Sequence, residues 1–344
     1  GGVVASAALG RQMGYERLVS FDMGGTSTDV CRIERGRPEV SYERAIDGYP
    51  CRLPSVAVHT IGAGGGSVGW VDAGGALRVG PRSSGAIPGP ACYDRGGLEP
   101  AVTDANLALG RIGSEVLLAD SVPLRHELAV AALAGLGDQL DLDHTEMALG
   151  MIEIVEAHMA RAIRTVSVEQ GADPRDAALV AFGGAGGLHA TALARKLEMA
   201  SVVVPPFAGV FSAFGLLLSP PRHDVALSVL LRGGDRLAGM VSKVTRRAGK
   251  QYKAQTGAEA DSIACVLDMR YLGQAHETSV PYAIDMDWDD LTNRFHQAHQ
   301  VMNGFARPQD PVEIVTVRAE AVGTPAMTWD ALPALSPSGP AENG

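Results

Sequence analysis

Two carboxylates seven positions apart bracket the run Phe21-Asp22-Met23-Gly24-Gly25-Thr26-Ser27-Thr28-Asp29-Val30. The run reads as strand, tight turn, strand. A Gly-Gly-Thr turn can aim successive backbone N–H groups at one anion. Asp22 and Asp29 then fall on adjacent strands beside that turn, where they could hold a hydrated Mg2+ or orient a nucleophile. No helix follows the turn, and no Walker A signature (GxxxxGK followed by Ser or Thr) occurs in the chain. Taken alone, the same residues also suit a plain hairpin, because Asp, Gly and Thr are turn formers.

A second run, Ala181-Phe182-Gly183-Gly184-Ala185-Gly186-Gly187-Leu188-His189-Ala190, passes from a strand into a helix through glycines. Backbone there can approach a ribose or a flat base edge, with a helix N-terminus nearby. A tight strand-to-helix turn is the alternative. A third run holds a formal GxGxxG at Gly64, Gly66 and Gly69. A hairpin follows it instead of a helix, so a dinucleotide fingerprint is not supported. His59, just before it, reads as a packed strand residue.

The elements that must position these runs follow from periodicity. Leu18–Met23, Asp29–Ile33 and Glu39–Tyr42 form a β-meander, Ser55–Ile61 a further strand, and Gly69–Val79 a hairpin turning at Asp72–Gly75. Residues 80–100, rich in Gly and Pro, form a long loop of the kind that is functional or interfacial. Thr103 or Asp104 caps a short helix through Leu109. Asp143 and Glu146 make a capping box for a longer helix, with Met147, Met151, Ile154, Val155, Met159, Ile163 and Val166 on one face and Gly171 closing it. Ala177–Phe182, Leu188–Leu197 and Ser201–Val204 make one βαβ unit. The apolar stretch Val202–Ser219 holds Pro205, Pro206, Gly209 and Gly215, and suits a strand, a turn and a buried segment better than a membrane span.

Gly1 to Gly14 is a small-residue helix without a cap, which reads as an entry into the middle of a larger protein. After Pro220–Pro221 the glycine clusters stop. A basic helix over 235–253, strand Ile263–Tyr271, a helix over 287–302 and strand Val312–Val322 make a second domain. From Pro325 onward Pro, Ser, Gly and Ala predict a frayed tail. The expected domains are therefore 1–222, 223–325 and a flexible 326–344.

The 344 residues are 46% apolar and 20% charged, enough to bury a real core. A net charge of -10 argues against nucleic acid or an anionic membrane surface as partner, without excluding a local phosphate pocket. Cys31, Cys51, Cys92 and Cys265 lie far apart and form no CxxC pair, so reduced thiols in a cytoplasmic protein are expected.

Together the segments resemble the hydantoinase A / 5-oxoprolinase family. FDMGGTSTDV (21–30), HTIGAGGGS (59–67), GPRSSGAIPGPACYDRGG (80–97), AVTDANLALGRI (101–112), MARAIRTVSVEQGADPRD (159–176) and AFGGAGGLHA (181–190) are similar to its signature segments, in order. MRYLGQAHE (269–277) and PVEIVTVRAEAVG (311–323) resemble later ones. Gly187 stands where the family commonly has proline and Asp94 where it commonly has glycine. The resemblance implies an α/β fold: the ribonuclease H-like second half of an actin/sugar kinase/heat-shock chaperone-type ATPase, plus a smaller α+β C-terminal domain.

It also implies ATP and Mg2+ as cofactors and phosphorylation of a cyclic-amide carbonyl oxygen, after which water opens the ring. On that resemblance Gly24, Gly25, Thr26 and Thr28 go to the phosphates and Gly183, Gly184 and Gly186 to the adenosine. Asp22 and Asp29 go to the metal or the catalytic positioning. The implied partners are a hydantoinase B-type subunit or fused domain and an N-terminal domain carrying a first phosphate motif. An acetone-carboxylase-type ligase subunit and a non-catalytic ATP-binding scaffold stay open as other readings. A Rossmann oxidoreductase would need an acidic residue after a second parallel strand, and Ser201–Pro206 offers none.

Overall fold

The structure is a computed structural model that describes residues 1–41, 44–46, 49–51, 55–113, 115, 117–118, 122–284 and 286–331. The end of the expected Glu39–Tyr42 strand and most of the expected tail (332–344) lie outside the described residues. The chain divides into two compact units: Gly1–Leu218 with the described residues from Trp329, and Ser219–Thr328.

In the first unit α1 (Gly2–Met13) leads into β1 (Arg17–Met23) and β2 (Thr28–Glu34), followed by the short β3 (Arg37–Pro38). Then come β4 (His59–Ile61), the hairpin β5 (Ser67–Val71) and β6 (Leu77–Ser83), and helices α2 (Val102–Ala108), α3 (His126–Gly137) and α4 (His144–Val166). A βαβ unit follows: β7 (Ala178–Phe182), α5 (Gly186–Lys196) and β8 (Ser201–Val203), then α6 (Phe211–Leu217). The main sheet runs β8-β7-β1-β2-β3, with β4 also on β2. β1, β2 and β3 are antiparallel neighbours, whereas β7 and β8 run parallel to β1. A meander continued by two parallel strands is the ribonuclease H-like order that the family resemblance implies.

Strand alternation splits the core in two. Val19, Phe21 and Met23 point to one face and pack with the methionines and isoleucines of α4 and with α5. Leu18, Ile33, Ala178, Val180 and Phe182 point to the other and pack with α1 and α6. Trp329 joins this second cluster, its ring 6.2 Å from that of Phe211, so the chain from Trp329 begins on a packed residue.

Several elements differ from the sequence reading. α4 has the expected box, with Asp143 accepting from Thr145 and Glu146 N–H and Glu146 reaching back to Asp143 N–H. It ends at Val166, however, and Gly171 (φ 76°) closes a separate 3-10 turn. α2 starts after Ala101 instead of after Thr103 or Asp104. The buried Asp104 carboxylate instead accepts from the N–H groups of Ala91, Cys92 and Ala101 and organises the long loop. α5 begins within the glycines, two residues before Leu188. Part of the Val202–Ser219 stretch is α6, whose Leu216 is 70% exposed.

The second unit is a four-stranded antiparallel sheet with two helices. β9 (Arg222–Leu231), β10 (Ser262–Tyr271), β11 (Thr278–Tyr282) and β12 (Val312–Val322) lie in the order β9-β12-β10-β11. α7 (Leu237–Thr256) and α8 (Trp288–Asn303) cover one face through Val241, Val244, Ala248, Leu291 and Phe295. The sequence reading places both helices, β10 and β12, and misses β9 and β11.

Candidate active site at the carboxyl edge of the sheet

The two glycine runs meet although some 160 residues separate them in the chain. β1 and β7 are parallel and in register, with Asp22 beside Phe182, so both end at the same sheet edge. The turn after β1 and the loop after β7 are therefore neighbours, and Ala185 N–H donates to the Met23 carbonyl at 3.0 Å. Gly183 has φ +83° and lies so close that a Cβ there would be 2.5 Å from Asp22 Oδ1. This is the crevice outside the carboxyl ends of strands where open α/β sheets bind ligands.

The turn itself leaves backbone donors that could take an anion. Gly24 N–H closes it onto the Ser27 carbonyl at 3.0 Å. Gly25 and Thr26 are exposed, and their N–H groups have no backbone acceptor among the described residues. Such unpaired donors in a tight turn form an anion-binding concavity. The turn is clamped from behind by the third glycine run: Gly65 N–H donates to Gly24 O at 3.0 Å and Gly66 N–H to Gly25 O at 2.6 Å. Gly64 must be glycine, since a Cβ there would stand 2.7 Å from Gly25 and Thr26 backbone atoms. Thr103, at the start of α2, fixes the clamp by donating both its N–H (2.7 Å) and Oγ1 (2.8 Å) to Gly65 O. Ser84 N–H holds Gly66 O at 2.8 Å. The GxGxxG is thus a brace for the turn. The hairpin that follows it sets a dinucleotide aside, and only contact with a turn forty residues earlier reveals its work.

Asp22 and Asp29 are direct cross-strand partners, so their carboxylates share one face of the sheet. Ser212 Oγ donates to Asp22 Oδ2 at 2.8 Å, and Thr60 Oγ1 donates to Asp29 Oδ1 at 2.6 Å. Thr60 lies in the segment HTIGAGGGS (59–67) without an assigned role, Ser212 lies in none of the quoted segments, and sequence reasoning missed both. One oxygen on each carboxylate is left without a hydrogen bond among the described residues. Burial raises the Asp22 carboxyl above its ordinary range; the Ser212 hydrogen bond opposes this and the Asp29 charge adds to it. No group of three or more His, Cys, Asp or Glu able to hold a metal occurs among the described residues. Two free carboxylate oxygens suit Mg2+, a hard cation that keeps most of its waters, and do not suit a zinc cage.

Two expected contacts take other places. Thr28 is fully buried, and its Oγ1 donates to Ala63 O at 2.5 Å, tying β2 to the brace instead of facing a phosphate. Gly186 is buried against the Phe21 carbonyl, so it seats α5 on β1. Gly183 and Gly184 remain at the cleft, with Gly184 exposed and nothing within 4 Å of a Cβ placed there. The first N–H groups of α5 receive no side-chain cap, as suits a helix end that faces a ligand.

Behind the loop, His189 is fully buried between Glu156 (3.4 Å) and Asn106 (3.3 Å), and Lys196 adds a second contact to Glu156 at 3.2 Å. Burial raises the Glu156 carboxyl, but His189 and Lys196 outweigh it and hold it below its ordinary range. The network joins α2, α4 and α5 beneath the cleft. No helix among the described residues is long and apolar enough to cross a membrane.

Comparison with known proteins adds the family context. The sequence profile described as Hydantoinase/oxoprolinase matches residues 1–225. The chain is 37% identical over 331 residues to caprolactamase subunit alpha of Pseudomonas jessenii, covering 92% of this chain and 48% of that protein. It is 34% identical over 291 residues to the acetophenone carboxylase gamma subunit of Aromatoleum aromaticum, covering 80% of this chain and 39% of that one. Among solved structures, the ATP-dependent caprolactamase of Pseudomonas jessenii superposes with a TM-score of 0.78 at 35% identity, over 97% of this chain and 50% of that one. The chain thus spans about half the length of the first curated relatives it matches.

Proposed function

The chain belongs to the hydantoinase/oxoprolinase family, and from that premise we propose that it is the nucleotide-binding part of an ATP-dependent cyclic-amide hydrolase. The observation that carries the reading is the meeting of the unpaired N–H turn at Gly25–Thr26 with the Gly183–Gly184 loop at one edge, beside two paired carboxylates.

In the proposed reaction the ring carbonyl oxygen attacks the γ-phosphorus of ATP and ADP leaves. A first water adds to the activated carbon and the ring C–N bond breaks to the amine, which leaves an acyl phosphate; a second water attacks the acyl carbon, and phosphate departs with the former carbonyl oxygen. Phosphorylation removes the amide resonance that makes the carbon a poor electrophile. Gly25 and Thr26 N–H groups hold phosphate oxygens, and Gly183 and Gly184 let the adenosine lie on backbone. Asp22 and Asp29 would hold Mg2+, which would neutralise phosphate charge. Ser212 and Thr60 fix the two carboxylates in place. The other half of the assembly would supply a first phosphate motif and a hydantoinase B-type subunit or domain, in the cytoplasm, where the buried thiols Cys31, Cys92 and Cys265 remain reduced.

The similarity to a carboxylase subunit favours one second reading, in which the same module phosphorylates a ketone or bicarbonate. An isotope experiment separates them. With the assembled enzyme and a lactam labelled with 18O at its carbonyl, the hydrolase reading expects the label in inorganic phosphate. Turnover of ketone plus bicarbonate, with no turnover of any lactam, would favour the carboxylase reading.

A further inference from the structure

The sheet face opposite Asp22 and Asp29 carries a cavity of about 410 Å3 where β4, the β5–β6 hairpin and α4 come together. Thr60 points to the Asp29 side, so its neighbours His59 and Ile61 point the other way, into this cavity. Four basic side chains line it, His59, Arg78, His158 and Arg161, together with apolar surface from Ile61, Val79, Ala162 and Trp70. Among the described residues no carboxylate lines it. Two acids contact its lining residues: Asp72 pairs with Arg78 at 2.7 Å, and Glu169 accepts from Thr165 Oγ1 at 3.3 Å. Arg161 has no ion-pair partner among the described residues. Burial, and then the charges of Arg161 and Arg78, hold the His158 imidazole below its ordinary range, so both guanidinium groups act on one spot.

Nothing in the proposed reaction uses this cavity, which lies on the far side of the sheet from the paired aspartates. Its composition selects a ligand class. The unpaired Arg161 guanidinium asks for an anion, and a guanidinium matches a carboxylate in planar, two-pronged geometry. The apolar lining would stay wet under a bare oxyanion, whereas an apolar body attached to the acid would cover it. We propose that this cavity is a binding site for a small organic carboxylate, with its acid group on Arg161 and its apolar body on Ile61, Val79 and Trp70. Gly62 and Ala63, which open the brace of the phosphate turn, also line the cavity, so ligand and turn share one loop.

Hexanoate is a suitable probe, because hexan-1-ol and inorganic phosphate each carry half of its chemistry. In a ligand-observed NMR titration of this chain, hexanoate is expected to bind about tenfold more tightly than either half. Arg161→Gln, an exposed position on a helix, should keep the parent melting temperature and weaken hexanoate by about tenfold. Phosphate binding as tightly as hexanoate would overturn the assignment in favour of a bare oxyanion site. Hexanoate binding undiminished in a folded Arg161→Gln protein would overturn it altogether.

Discussion

A Cβ on Gly183 would stand 2.5 Å from Oδ1 of Asp22, and closer still to the Met23 carbonyl oxygen. The loop proposed for adenosine and the carboxylate proposed for metal are in van der Waals contact through a residue with no side chain. Gly183→Ala would force a clash at φ +83° and should destabilise the chain by about 2 kcal/mol or more. Gly184→Ala has open space and should stay within about 0.5 kcal/mol of the parent. Chemical denaturation of the two variants checks this, and equal losses would mean the loop does not sit against β1.

Asp22 makes a prediction about pH. Its carboxyl is raised in the folded chain, chiefly by burial. A carboxyl raised on folding adds stability below the ordinary aspartate pKa of about 4 and loses it as pH rises through the folded value. Asn at this position stays neutral and can still accept from Ser212. Asp22→Asn should therefore melt higher than the parent at pH 7, with the gain closing as pH falls toward about 4. In the assembled enzyme the same change should lower turnover by about a hundredfold or more. A variant that melts lower at pH 7, or turns over normally, would contradict the assignment.

Thr28 is expected to matter for stability through its bond to Ala63. Thr28→Val keeps the shape and leaves a buried carbonyl without its donor, at a cost of about 1–2 kcal/mol. Thr28→Ser should recover most of that. Denaturation midpoints that do not separate Val from Ser would show that the hydroxyl is not holding the brace.

The two departures from the family pattern are legible only with the backbone in view. Asp94 has φ 54°, the left-handed region where glycine is at ease, which fits the glycine that the resemblance leads one to expect there. Gly187 lies in the first turn of α5, with nothing within 4 Å of an added Cβ. Its N–H has no intrahelical acceptor to lose, so proline fits. Gly187→Pro should stabilise the chain by about 0.5–1 kcal/mol, measured by urea denaturation. A loss of stability would mean that the N–H does have a partner.

Local patterns carried much of the first unit. Short apolar runs beside glycine-rich turns marked β1, β2 and β7 within a residue or two, and Asp143 with Glu146 marked the start of α4. What stayed hidden was set by contacts distant in sequence. Asp104 looks like a cap until its carboxylate is seen gathering three N–H groups from the long loop. Gly64 has no assigned work in the sequence until it is seen against Gly25 and Thr26. Ser212 and Thr60 are ordinary hydroxyls until β1 and β2 bring Asp22 and Asp29 to them. β9 alternates strictly in burial, and it was missed because apolar Ala226 and Leu230 fall on its exposed face and His223 on the other, which blurs the apolar–polar pattern.

The central claim is that one nucleotide touches both glycine loops. The most direct measurement is a crystal structure of the assembled enzyme with Mg2+ and a non-hydrolysable ATP analogue. The account predicts phosphate oxygens within about 3 Å of the Gly25 and Thr26 nitrogens, adenosine against Gly183 and Gly184, and the metal between Asp22 and Asp29. A nucleotide that contacts only one of the two loops, or binds away from the carboxyl edge of β1 and β7, would contradict it.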